Sequence, residues 1–265
     1  MFYQVDAFTD RPFAGNPAAV CIQPEAAPAA WMQDVAQEMN LAETAFLVRR
    51  GQTPVFDLRW FTPVDEVDLC GHATLASAHI VWETGLVSPG ESIHFETRSG
   101  RLSAWRDGAW IVLDFPAERA VPVSEEEALT ITQALGVTPR YVGKNRMDYL
   151  ARLDHEAAVR ALVPDMTRIA ALKARGLIVT AASDTPGYDF ISRFFAPQLG
   201  VPEDPVTGSA HCCLAPFWQE RLGKERMTGY QASRRGGTVR VRVAGSRVHL
   251  GGQAVTVMRF WILGF

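Results

Sequence analysis

The chain has 265 residues, 48% of them hydrophobic, and a formal net charge of −3. That is enough for one large domain or two of roughly 100–150 residues with a full core, and it argues against disorder. No basic block interleaved with aromatics is present, which argues against nucleic acid as a partner, and no apolar run approaches the roughly 20 residues of a membrane span. The N-terminus lacks the basic and apolar regions of a signal peptide. The four cysteines, Cys21, Cys70, Cys212 and Cys213, form no C-x-x-C pattern, so neither a disulfide framework nor a zinc site is expected and a reduced, cytoplasmic chain is.

In chain order, residues 3–7 and 18–22 read as strands with turns at Asp10-Arg11-Pro12 and Gly15-Asn16-Pro17 between them. Trp31, Val35 and Met39 mark an amphipathic helix that Asn40 can close. Strands are expected at 45–48 and 55–61, and then a helix over 72–83 that is apolar nearly all round and therefore belongs inside a core. Three more strands, 93–97, 101–105 and 110–115, complete the first half. Residues 116–122 read as a linker, and Ser124 with Glu127 forms a capping-box pattern. The second half offers strands at 177–181 and 189–195, a second mostly apolar helix over 209–221 that Pro216 should kink, and strands at 238–243, 248–250 and 254–260. Each half is thus a set of strands about one buried helix. Domain limits of 1–116, completed by 254–265, and 120–253 follow.

Both buried helices open on a glycine motif, Cys70-Gly71-His72-Ala73 and Thr207-Gly208-Ser209-Ala210. Two such N-termini suit a small carboxylate held in a shared cleft. Glu43 is a lone carboxylate in an apolar, strand-entering run; it is either an acid/base made able to hold a proton by partial burial or an edge residue facing water. His72 is either a hydrogen-bonding or proton-relaying group at a helix start or a satisfied core histidine. Cys70, at the same helix start, is either a thiol base or structural. A racemase would need a second acid/base, and the matching place in the second motif is Thr207, whose hydroxyl is too weak an acid. Asp204 either binds a substrate ammonium or caps a turn, and Ser209 either binds a carboxylate or caps the helix. His211-Cys212-Cys213 cannot converge on one ion, because consecutive helical residues point about 100° apart. Gln231 to Gly237 reads as a turn between strands. No phosphate-binding glycine loop is present, so no nucleotide cofactor is expected.

These stretches, together with Val5-Asp6-Ala7-Phe8, Gly15-Asn16-Pro17-Ala18, Asn40-Leu41-Ala42-Glu43-Thr44 and Arg59-Trp60-Phe61-Thr62-Pro63, resemble the PhzF-like (phenazine-biosynthesis) family from end to end. The resemblance implies an α/β (α+β) fold of two pseudo-symmetric diaminopimelate epimerase-like domains, each a barrel-like β-sheet around a central helix. It implies Glu43, His72 and Asp204 as catalytic residues, and Gly71, Gly208, Ser209, Asn16 and Cys70 as substrate-binding residues. It implies isomerisation of a small carboxylate by one glutamate acid/base, as in the enzyme acting on trans-2,3-dihydro-3-hydroxyanthranilate, with no metal or organic cofactor, and a homodimer. The chain departs from that enzyme's pattern at Cys70, Ala73 and Ala42, where it has Ala, Pro and Ser.

Overall fold

A computed structural model describes residues 1–262. The chain divides into two compact units, Met1–Phe115 with the chain from Gly251 on, and Pro116–Leu250. In order, the elements are β1 (Phe2–Ala7), β2 (Asn16–Gln23), α1 (Ala29–Met39), β3 (Glu43–Arg49), β4 (Val55–Phe61), β5 (Glu66–Val67), α2 (Gly71–Glu83), β6 (Ile93–Thr97), β7 (Gly100–Asp107) and β8 (Trp110–Pro116). Then come β9 (Val121–Pro122), α3 (Glu125–Leu135), β10 (Tyr141–Lys144), β11 (Asp148–Arg152), α4 (Glu156–Ala161), α5 (Met166–Ala170), β12 (Gly176–Ala182) and β13 (Phe190–Phe195). The last are α6 (Gly208–Leu222), β14 (Arg226–Gln231), β15 (Gly237–Ala244), β16 (Arg247–Gly252) and β17 (Ala254–Phe260). Of the strand expected to close the first domain, residues 263–265 lie outside the described residues.

The mixed α/β fold expected from the sequence is the one observed. In the first unit the strands pair in the order β17-β1-β2-β3-β4-β6-β7-β8. Only β2/β3 and β4/β6 are parallel, and each parallel step is bridged by a helix, α1 or α2, as a parallel pair requires. The second unit repeats the scheme as β9-β10-β11-β12-β13-β14-β15, with parallel steps β11/β12 and β13/β14 bridged by α4–α5 and by α6.

Helix α2 is the core of the first unit. From His72 to Ala78 every residue is buried, and Ile80, Val81 and Trp82 follow. It packs on β1, β2, β3 and β17, and its small residues Ala73, Ala76, Ser77 and Ala78 admit those strands closely. Burial of Leu75, Ile80 and Val81 stabilises the fold by roughly 1.5–3 kcal/mol each. The second core helix, α6, is one helix through Pro216, with Trp218 stacked on Phe190 of β13 at 6.0 Å.

Local signals in the sequence account for most helix ends. Asn40 closes α1 in the left-handed conformation, and Ser124 and Glu127 form the capping box of α3. One turn was narrower than its residue types suggested. Asn16 and Pro17 belong to β2, opposite Ala7 and Asp6, and Gly15 alone makes the bend. Between α3 and β12 the sequence offered no assignment, yet β10, β11, α4 and α5 lie there. Each is only four to six residues long, too short for a period to show.

Gly15 has φ of +62°, and a Cβ there would sit 2.1 Å from the backbone oxygen of Ala7. Only glycine fits, so Gly15→Ala should cost about 2–4 kcal/mol in a urea unfolding measurement. In the second unit Glu156 anchors the loop after β12. Its carboxylate accepts from the Ser183 and Thr185 hydroxyls, each at 2.7 Å, from the Asp184 and Thr185 amides, and from Arg160. Burial works to raise its pKa, but these donors outweigh it and hold the group down at about 2. A depressed carboxylate stabilises the fold above its ordinary pKa of 4.5 and loses that contribution as pH falls toward 2. Glu156→Gln is therefore expected to flatten the acid limb of the thermal-stability profile between pH 4.5 and 2 while lowering stability at pH 7.

Candidate functional site

In the first unit four of the expected site residues meet. Glu43 opens β3 opposite Ala18 of the parallel strand β2, which Asn16 opens. Cys70 and His72 stand at the N-cap and second residue of α2. Glu43 Oε2 lies 3.1 Å from His72 Nε2. On the other side of the ring, Cys70 Sγ lies 3.5 Å and the Asn16 amide 3.3 Å from Nδ1. Asn16, Cys70 and His72 are buried, and Glu43 keeps 19% of its side chain exposed. The site is therefore a closed ring edge with one accessible carboxylate.

Glu43 Oε2 and His72 Nε2 face each other without the alignment of a hydrogen bond, although both atoms are buried. Burial disfavours a charged imidazole, but the Glu43 carboxylate beside Nε2 and the hydrogen-bonding Cys70 thiol beside Nδ1 act against it, and His72 is held above its ordinary range. Nε2 faces the Glu43 carboxylate, and Nδ1 faces the Cys70 thiol and the Asn16 amide. The Asn16 atom on Nδ1 is its amide nitrogen. Burial and the nearby carboxylate push the Cys70 thiol up, so it is protonated at neutral pH. Glu43, Cys70 and His72 are also the one group of potential metal ligands found among the described residues. Glu43 and Cys70 meet opposite ring nitrogens, an arrangement suited to passing protons rather than to converging on one ion.

The second unit carries the other expected residues. Asp204 accepts from the Thr207 hydroxyl at 2.5 Å. Gln231, fully buried at the end of β14, accepts from the Thr207 amide and donates to the Asp204 carbonyl and the Thr207 hydroxyl. The segment read as one turn thus splits: Gln231 is a buried clamp, and only 232–236 connect the strands. Ser209 is not the helix cap, which is Thr207; its hydroxyl accepts from Arg175 at 2.9 Å. Arg175 is in turn held by Asp148, whose carboxylate is fully buried. Arg175, Asp148 and Gln231 were not singled out from the sequence. Their only signal was a polar residue at the edge of an apolar run, which many strands share.

Helices α1, α2 and α6 have no side-chain cap, whereas α3, α4 and α5 are capped by Ser124, His155 and Asp165. His211, Cys212 and Cys213 are buried in α6. His211 Nδ1 contacts the Thr207 carbonyl at 2.9 Å, and burial lowers its pKa to about 4, so it is a neutral core group.

Strands about a central helix in each unit define a mixed α/β protein of the epimerase-like fold. A hydroxyproline epimerase of Agrobacterium vitis shares this fold at 11% identity, with a TM-score of 0.58 over 97% of this chain and 90% of that one. The phenazine biosynthesis-like protein family (PhzC-PhzF) matches residues 5–259, and the chain belongs to this PhzF-like family. An uncharacterised isomerase of Halalkalibacterium halodurans is 52% identical over 98% of this chain and 97% of its own length. A PhzF-family crystal structure from Enterococcus faecalis superposes with a TM-score of 0.89 at 41% identity, covering 97% of this chain and 96% of that one.

The raised pKa of His72 makes a specific prediction. Its ion pair stabilises the fold below the unfolded-state pKa and is lost as pH rises through the folded value. In an NMR titration His72 should therefore titrate above 6.5, and Glu43→Gln should bring it down, because burial then acts against the imidazolium with less opposition.

Proposed function

We propose that the protein is a cofactor-independent isomerase that moves a carbon-bound proton on a small amino acid-like or cyclic carboxylate, with Glu43 as the acid/base. The observation that carries this reading is the 3.1 Å contact of Glu43 with a buried imidazole, in which Glu43 is the more accessible partner. A carboxylate in that setting can take a proton from carbon, while His72 supplies positive charge and an N–H beside the charge that develops. The same carboxylate returns the proton to a second carbon, so one base completes the reaction and neither redox chemistry nor a second base is required.

Asp204 is assigned to the substrate's amino or hydroxyl group. Gly208 and Ser209 are assigned to its carboxylate, with Gly71 a further backbone donor at the N-terminus of α2. The uncapped starts of both core helices support these roles. Asn16 and Cys70 act on the imidazole, in keeping with their contacts to Nδ1. A two-thiol racemase fits less well, because the Thr207 hydroxyl is committed to Asp204 and the Cys70 thiol is held protonated. Cytoplasmic residence fits the four free cysteines.

The test is deuterium uptake from heavy water into a panel of small amino and hydroxy carboxylates that includes trans-2,3-dihydro-3-hydroxyanthranilate. Wild type should exchange or isomerise at least one compound, and Glu43→Gln should slow this roughly 10²–10⁴-fold. Undiminished exchange by Glu43→Gln sinks the assignment. Exchange that survives Glu43→Gln and dies with Cys70→Ala points to an epimerase, and binding without exchange to a carboxylate-binding protein.

A further inference from the structure

We infer that Arg175 is a positioning residue that biases the Ser209 hydroxyl toward donating its hydrogen to a ligand carboxylate. The inference rests on the reading above, in which Ser209 binds the substrate's carboxylate. Its ground is a correspondence between the two units. In the first, the residue opening β2 (Asn16), the residue opening β3 (Glu43) and the second residue of α2 (His72) form one cluster. In the second, the residue opening β11 (Asp148), the residue just before β12 (Arg175) and the second residue of α6 (Ser209) form another. The positions match within one residue, but the chemistry is inverted. A carboxylate and an imidazole can exchange a proton; a guanidinium, protonated throughout the working pH range, cannot.

The geometry fixes what Ser209 can do. Arg175 Nε donates to Asp148 Oδ1 at 2.9 Å, and Nη2 donates both to Asp148 Oδ2 at 2.5 Å and to Ser209 Oγ at 2.9 Å. Both hydrogens of Nη2 are therefore engaged, and the guanidinium is held over Phe194, 5.4 Å from its centroid. A serine hydroxyl has one hydrogen and two acceptor sites. With Arg175 filling one acceptor site, the hydrogen must point away from the guanidinium. Toward a ligand, Ser209 then favours an acceptor such as a carboxylate oxygen over a donor such as an amide N–H. The Asp148 charge balances Arg175, so the effect is one of direction rather than of net attraction.

The experiment is calorimetric titration of the full chain with a panel of small carboxylates, each paired with its primary amide. Wild type should prefer at least one carboxylate to its amide. Ser209→Ala should weaken that carboxylate roughly 10- to 100-fold. Arg175→Lys, which keeps a cation for Asp148 but lacks the fork to hold Asp148 and Ser209 together, should weaken it about tenfold and weaken the amide, whose neutral carbonyl is the poorer acceptor, by less. In the Ser209→Ala background, Arg175→Lys should have no further effect, the signature of a residue acting through another. If Arg175→Lys fails to fold by thermal unfolding, the paired change Asp148→Asn with Arg175→Gln takes its place. The inference is overturned if no carboxylate is preferred to its amide, if the Arg175 variant binds as wild type does, or if its effect is the same with and without Ser209. Deuterium exchange in the same variants separates the two readings. Glu43-dependent exchange without Arg175–Ser209 coupling defeats this inference alone, whereas exchange independent of Glu43 defeats the isomerase reading.

Discussion

The first unit's chemistry depends on one placement, an imidazole kept out of water 3.1 Å from a carboxylate that is not. Isolated burial would strip the ring of its charge. The carboxylate restores it, and the two together make a group that neither residue forms alone. The fold's part is to bring the start of β3 to the start of α2. It does so because β2 and β3 are parallel and a parallel pair needs a crossover, so Glu43 arrives beside Asn16's strand at the end where α2 begins.

The repeat of this scheme in the second unit explains why one architecture can hold two unlike clusters. The strand order and both crossovers recur, and with them the three positions from which side chains converge on a helix start. What fills those positions decides the chemistry: a carboxylate faces an imidazole in one unit and a guanidinium in the other. The scaffold supplies convergence, and residue identity supplies reactivity.

Much of this was legible in the sequence. The two core helices showed themselves because an apolar helix has nowhere to go but inside, and the capping box of α3 is a local pattern that survives any tertiary context. Glu43 and His72 were visible from their local sequence, and the family resemblance implied both as catalytic residues; their 3.1 Å contact was not foreseen. Gln231, Asp148 and Arg175 were not visible, because their roles exist only through register. Asp148 meets Arg175 because β11 lies parallel to β12, and Gln231 meets Thr207 because β14 ends where α6 begins. The short elements between α3 and β12 escaped for a different reason: four to six residues carry too few turns or alternations to declare a period.

Gln231 has a consequence for motion. Its amide ties the 204–207 loop to the end of β14, a strand paired on both sides by β13 and β15. That loop cannot swing away on its own; to open, it must strand a fully buried amide or take the sheet with it. Loops near ligands are commonly the first part of a protein to breathe. This one moves on the timetable of the sheet, so the Asp204 side chain is presented from a surface that is already set.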